Sequence, residues 1–172
     1  MSEHERAGRV LVAGLGNLFL SDDAFGVEAV RRLARHELPP GVEVVDIGVR
    51  GVHLAYQLLD GYDTVVLLDA TAQGGVPGTV YLVDHAEIVA DAAVIDGHRM
   101  TPDAVLALLG TLSVGTGGSR PHRVVVVGCE PASLEEGIGL SEPVAASLDE
   151  AVAVVLRVLD EATAPAHPPI TT

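Results

Sequence analysis

Lysine is absent from this 172-residue chain, so all ten of its basic residues are arginine. Without an ε-amine there is no Schiff-base chemistry, no pyridoxal-phosphate anchor and no phosphate-loop lysine. Cysteine is reduced to one, Cys129. That excludes an internal disulfide and, within one chain, a multi-cysteine zinc site or an ordinary iron–sulfur cluster. Positive charge is scarce as well: ten Arg face 24 Asp plus Glu, a formal net charge of −14. Such a surface repels phosphate backbones and anionic bilayers, which argues against nucleic-acid and membrane partners. Long apolar runs are missing too. Pro143 to Leu159 is interrupted by Asp149, Glu150 and Arg157, and Met1 to Gly8 is polar with no apolar segment behind it, unlike a signal peptide. What is present is a globular composition, 48% hydrophobic, in a chain long enough for one core. The expectation is a soluble, cytoplasmic, single-domain protein, monomeric by default.

Hydrophobic patterning alternates between strand and helix. Arg9 to Gly14, Val42 to Ile47, Asp63 to Leu68, Thr79 to Val83 and Arg123 to Gly128 read as five strands. Val27, Val30, Leu33 and Ala34 recur at helical spacing. Gly51 to Leu59, Pro102 to Leu112 and Pro143 to Leu159 read as further helices, with Gly115 to Pro121 a flexible loop and His85 to Asp96 ambiguous. Only Ala70 to Gly78 separate the third strand from the fourth. A parallel crossover needs at least about a dozen residues, so the fourth strand is expected to run antiparallel in a mixed sheet. Residues 1–8 and the Pro- and Thr-rich stretch 162–172 are expected to be disordered, leaving 9–161 as the domain.

Open α/β sheets place their sites beyond the carboxyl ends of the strands. Asp22 and Asp23 follow the first strand, Asp69 ends the third, and His98 precedes the helix leading to the fifth. Two carboxylates and an imidazole can hold a divalent transition metal with positions open to water or substrate. Structural roles compete: Ser21 or Asp22 could cap the first helix, Asp69 could serve a turn, and a lone histidine is more often a satisfied surface residue. Gly14-Leu15-Gly16 hints at a dinucleotide loop, but Phe19 occupies the third glycine position and the neighbouring aspartates would face a pyrophosphate. Cys129, at a strand end, reads as a small buried thiol rather than a nucleophile.

Taken in order, these segments resemble the hydrogenase maturation endopeptidases. Val10 to Asn17 followed by Ser21-Asp22-Asp23-Ala24-Phe25-Gly26 is similar to the family's G-x-G-N-x-x-x-x-D-[DE]-[GA]-x-G. Val66-Leu67-Leu68-Asp69-Ala70 resembles its apolar strand ending in Asp-Ala, Gly97-His98-Arg99-Met100 its histidine stretch, and Gly139-Leu140-Ser141 its G-L-[ST] segment. The resemblance implies a three-layer α/β/α domain around a mixed, mainly parallel, twisted five-stranded sheet. It also implies a ligand and catalytic trio of Asp23, Asp69 and His98, with His85 as the alternative histidine. Gly14, Gly16, Asn17, Asp22 and Gly26 would form the supporting loop.

The implied substrate is the nickel-loaded precursor of a nickel–iron hydrogenase large subunit, cut at its C-terminal extension. Nickel would come with the precursor, and no nucleotide, flavin or pyridoxal phosphate is implied. Either a metal-bound water attacks the scissile carbonyl, or a carboxylate acts as general base. Competing readings are a nickel-sensing chaperone that binds without cutting, and a peptidase of related fold acting on another precursor.

Overall fold

The computed structural model describes residues 8–85, 101–116, 118 and 120–164. In chain order it contains β1 (Val10–Leu15), a 3-10 turn (Ser21–Ala24), α1 (Phe25–Leu33), β2 (Val42–Gly48), α2 (Gly51–Gln57) and β3 (Thr64–Ala70). There follow β4 (Val80–His85), α3 (Pro102–Thr116), β5 (Arg123–Cys129) and α4 (Glu142–Thr163). The five strands form one sheet in the order β2-β1-β3-β5-β4, parallel except for β4. The reversal of β4 follows from the short β3–β4 connection, which has no room for a crossover helix.

β1, β3 and β5 read as unbroken apolar runs because both of their faces are covered. On one face Val12, Val66, Leu68 and Val127 pack against Phe25, Val30 and Leu33 of α1 and Leu148, Val155 and Leu159 of α4. On the other, Leu11, Val65, Leu67 and Val126 meet Leu54 of α2 and Val105 and Leu109 of α3. Each such leucine, fully withdrawn from water, contributes about 2 kcal/mol to folding. No helix among the described residues is long and apolar enough to cross a membrane.

Two boundaries differ from the sequence reading. α3 continues through Gly115 to Thr116, where a flexible loop was expected, because its inner face stays packed against α2. α4 extends to Thr163, so residues 162 and 163 belong to the helix and not to the tail. Residues 1–7, 86–100, 117, 119 and 165–172 lie outside the described residues, and with them most of the ambiguous 85–96 segment.

The strand order fixes where a site can form. The chain leaves β1 towards β2 on one side, then crosses back to β3 and continues to the other side. β1 and β3 are therefore neighbours whose connections diverge, and the crevice at their carboxyl ends is the topological switch point.

Candidate active site

The N-terminus of α1 is driven deep into this crevice, and glycine makes that possible. A Cβ on Gly26 would collide with the carbonyl oxygens of Leu15 and Leu68, and one on Gly14 with the carbonyl of Gly26 and the Val30 side chain. Gly16 closes the loop on itself. Its φ of +136° lies in the region that favours glycine, and its Cα faces the Asp23 carbonyl. Asn17 donates its backbone N–H to Asp23 Oδ2 at 2.9 Å, and its own Oδ1 accepts from Phe19 N at 2.9 Å. The tight turn thus sets the orientation of Asp23 directly above the switch point.

Asp69, only 5% exposed, reaches the same place from the end of β3, with its Oδ1 accepting the Ala70 N–H at 2.8 Å. Asp23 and Asp69 both line a cavity of about 450 Å³, together with Gly16, Asn17, Thr71 and Gln73. Its remaining wall is largely apolar, including Leu20, Val49, Val83, Val126 and Leu134. A third carboxylate, Asp103 in the first turn of α3, also lines it. Sequence reasoning missed Asp103, although Thr101-Pro102-Asp103 is a helix-start signal, and Thr101 Oγ1 accepts the Ala104 N–H at 3.3 Å. Among the described residues, no three His, Cys, Asp or Glu side chains converge to hold a metal by themselves.

His98 lies outside the described residues. His85, the alternative histidine, is placed by its backbone: it pairs with Val124, whereas Asp69 pairs with Gly128 on the same strand. Four residues of β5 put it ~13 Å from the level of Asp69, towards the opposite edge of the sheet. The antiparallel course of β4 therefore removes His85 as a partner for the two aspartates.

Asp22 makes no helix-cap hydrogen bond but braces a second loop of the site. Neither the 3-10 turn nor α1 carries a side-chain cap. Asp22 is fully buried, and its carboxylate gathers the β5–α4 loop. Oδ2 accepts from Ala132 N at 2.8 Å, Ser133 N at 3.1 Å and Ser141 Oγ at 2.8 Å, while Oδ1 accepts from Ser141 N at 2.7 Å. Burial pushes its pKa up, but these donors prevail and hold the carboxyl below its usual range. The Ser141 of the G-L-[ST] segment is thus an anchor for Asp22.

A third buried carboxylate, Glu130, was not anticipated. It follows β5 and accepts from Gln73 N at 2.8 Å, Gly74 N at 3.0 Å and Tyr81 Oη at 3.1 Å. The Gln73 N–H leads the donors that keep its pKa low against the effect of burial. Glu130 thereby clamps the segment after Asp69, which forms one cavity wall. The only sequence signal was a charged residue directly after an apolar strand at the carboxyl edge. Cys129 behaves as expected: it is fully buried, its Sγ lies 3.2 Å from Ser147 Oγ, and burial raises its pKa.

The fold and site define an α/β protein with an acid-lined crevice at the switch point of a mixed sheet. The hydrogenase maturation protease family profile matches residues 27–158, more than half of the chain. The chain is 34% identical to the hydrogenase 2 maturation protease of Escherichia coli, over 93% of this chain and 96% of that protein. It is 35% identical to the hydrogenase expression/formation protein HupM of Azotobacter chroococcum, over 88% of this chain and 72% of the relative. The solved structure of the hydrogenase maturating endopeptidase HybD from E. coli superposes with a TM-score of 0.72 at 32% identity, covering 89% of this chain and 93% of that one. The chain belongs to the hydrogenase maturation protease family, and the fold expected from the sequence is the one found.

Proposed function

We propose that this protein is an endopeptidase that removes the C-terminal extension from the nickel-loaded precursor of a nickel–iron hydrogenase large subunit, acting in the cytoplasm as a monomer. The observation that carries the reading is the meeting of Asp23 and Asp69 in one cavity at the β1/β3 switch point. Membership of the protease family supports the reaction type. Two carboxylates with the imidazole of His98 form an oxygen and nitrogen donor set suited to a divalent transition ion. In this reading the ion is the substrate's own nickel, so the precursor becomes cleavable only once it carries metal.

The substrate's nickel supplies Lewis acidity at the scissile carbonyl and acidifies a water molecule. Asp23, held by the Asn17 N–H, is aimed by the loop rather than by its own rotamer freedom. Asp69 stands at the end of a fully buried strand, so both carboxylates meet the precursor with little reorganisation. Thr71 and Gln73 form the adjoining wall of the cavity, beside the path of a chain that enters it.

The test is the intact mass of the cognate precursor, co-produced with wild type or Asp23→Asn, with and without nickel. The expected result is loss of the extension only with nickel and only with wild type. Loss without nickel would mean that the carboxylates activate water themselves, as in an aspartic-type peptidase. A stable complex with no mass change would make the protein a non-cleaving chaperone.

A further inference from the structure

Of the five most exposed large hydrophobic side chains among the described residues, four lie at one edge of the sheet, and the fifth, Val114, sits near the end of α3. Phe19, Val49, Val76 and Ile138, exposed by 68, 67, 76 and 85%, each sit on the loop leaving the carboxyl end of β1, β2, β3 or β5. All four loops belong to the edge that carries Asp23 and Asp69. Isolated exposed hydrophobics such as Val114 are ordinary, but four concentrated around the rim of an acid-lined cavity mark a contact surface.

The loops that carry two of these residues, Phe19 and Ile138, are tied to each other through the backbone. The Gly137 N–H donates to the Phe19 carbonyl at 2.9 Å, and the Ser21 N–H donates to the Gly137 carbonyl at 2.9 Å, forming a bridge between Leu20 and Gly137. Ser21 adopts φ 53°, an unusual conformation for a residue with a Cβ, and its hydroxyl donates to the Glu135 carbonyl at 2.8 Å. Asp22 then ties down both ends of the partner loop, at Ala132–Ser133 and at Ser141. A buried carboxylate and a strained backbone are thus committed to a pair of loops whose tips, Phe19 and Ile138, stand in water.

The same two loops both line the cavity, the first through Gly16, Asn17, Leu20 and Asp23 and the second through Leu134. The exposed tips are therefore continuous with the site but outside it, where only parts of a substrate beyond its scissile segment can touch them. Ile138 is accompanied by exposed Glu135 and Glu136. Together with a net charge of −14, these oppose a second copy of the chain and favour a partner with basic side chains around the contact.

Resting on the protease reading above, we propose that Phe19 and Ile138 form a preorganised apolar knob. It docks into an apolar recess, rimmed by arginine or lysine, on the folded body of the protein substrate beside the segment to be cut. Fixing the knob before the encounter lowers the ordering cost of binding.

The test compares wild type with the double variant Phe19→Ser, Ile138→Ser, and with Phe19→Leu, Ile138→Leu. Cleavage kinetics are measured on the nickel-loaded precursor, and equilibrium binding on the large subunit lacking its extension. For the serine variant KM rises by about tenfold or more with kcat unchanged, and affinity for the shortened subunit falls by a similar factor. The leucine variant restores both. Unchanged KM and affinity would overturn the proposal. So would a fall in kcat alone, or a wild-type dimer in sedimentation that the serine variant dissolves. If wild type binds the precursor but does not cut it, the protease reading fails, and the affinity comparison still decides the docking. If wild type does not bind it at all, both fail.

Discussion

Replacing Asp22 by Asn tests the idea that one buried carboxylate organises the second loop of the site. Asn keeps the shape but can accept through only one oxygen. With its carbonyl in the Oδ2 position, it retains Ala132 N, Ser133 N and Ser141 Oγ as neutral hydrogen bonds and turns its NH2 towards the Ser141 N–H. Losing charge assistance on three bonds and leaving one donor facing another costs ~3 kcal/mol. With a urea m-value of ~2 kcal/mol per M, the midpoint of unfolding falls by ~1.5 M. The pH dependence has a definite sign. Because the folded-state pKa lies below the unfolded one, the stabilisation is complete above the unfolded value of ~3.9 and is lost as pH falls through the depressed folded value. The gap between wild type and variant should therefore be equal at pH 7 and pH 5 and should close only in more acidic solution. A midpoint shift below ~0.3 M, or a gap that already narrows between pH 7 and pH 5, would refute the reasoning.

Three further outcomes follow from the packing around the site. Gly26→Ala forces a methyl group against the Leu15 and Leu68 carbonyls, an overpacking cost of ~2 kcal/mol that calorimetry should read as a Tm lower by ~4–8 °C. In Glu130→Gln, one of the Gln73 and Gly74 amides loses its carboxylate oxygen, so hydrogen exchange there accelerates by at least about tenfold while exchange in β3 is unchanged. Equal protection in both proteins would remove the clamp. Cys129, buried and with a raised pKa, should not react with a thiol reagent in the native protein but should react fully in denaturant. Prompt labelling without denaturant would contradict its placement.

The framework was legible in the sequence because its causes are local. Runs such as Val65 to Leu68 and Val124 to Val127 declare strands covered on both faces, and the nine residues after Asp69 are too few for a parallel return. Asp23 and Asp69 could be paired because both follow apolar strands to the edge where such sheets bind ligands. Asp22 could not be read in the same way. Its partners lie 110 to 119 positions along the chain, and nothing in Ser21-Asp22-Asp23 distinguishes a loop-gathering carboxylate from a helix cap. Glu130 was hidden for the same reason, since its donors belong to a loop 56 and 57 positions earlier. α3 outran its expected end because packing on α2 outweighs the ~1 kcal/mol that a helical glycine costs.

The position of β5 has a consequence for the order of assembly. β3 and β4 are successive in the chain but never touch as neighbours, because β5 lies between them and is made some forty residues later. Until Arg123 to Cys129 has been synthesised, β4 has no strand to pair with and the arch over Gln73 and Gly74 has no Glu130 beneath it. Asp23 and Asp69 can be brought near each other by β1 and β3 alone, yet the wall beside them and the clamped loop opposite both wait for the last third of the chain. A chain that stopped before β5 would therefore contain both aspartates and lack the rest of the cleft. Closure of that slot rests on contacts far apart in the chain, which form later than local ones. The cleft of a protease built this way is complete only when the last third of its chain is in place.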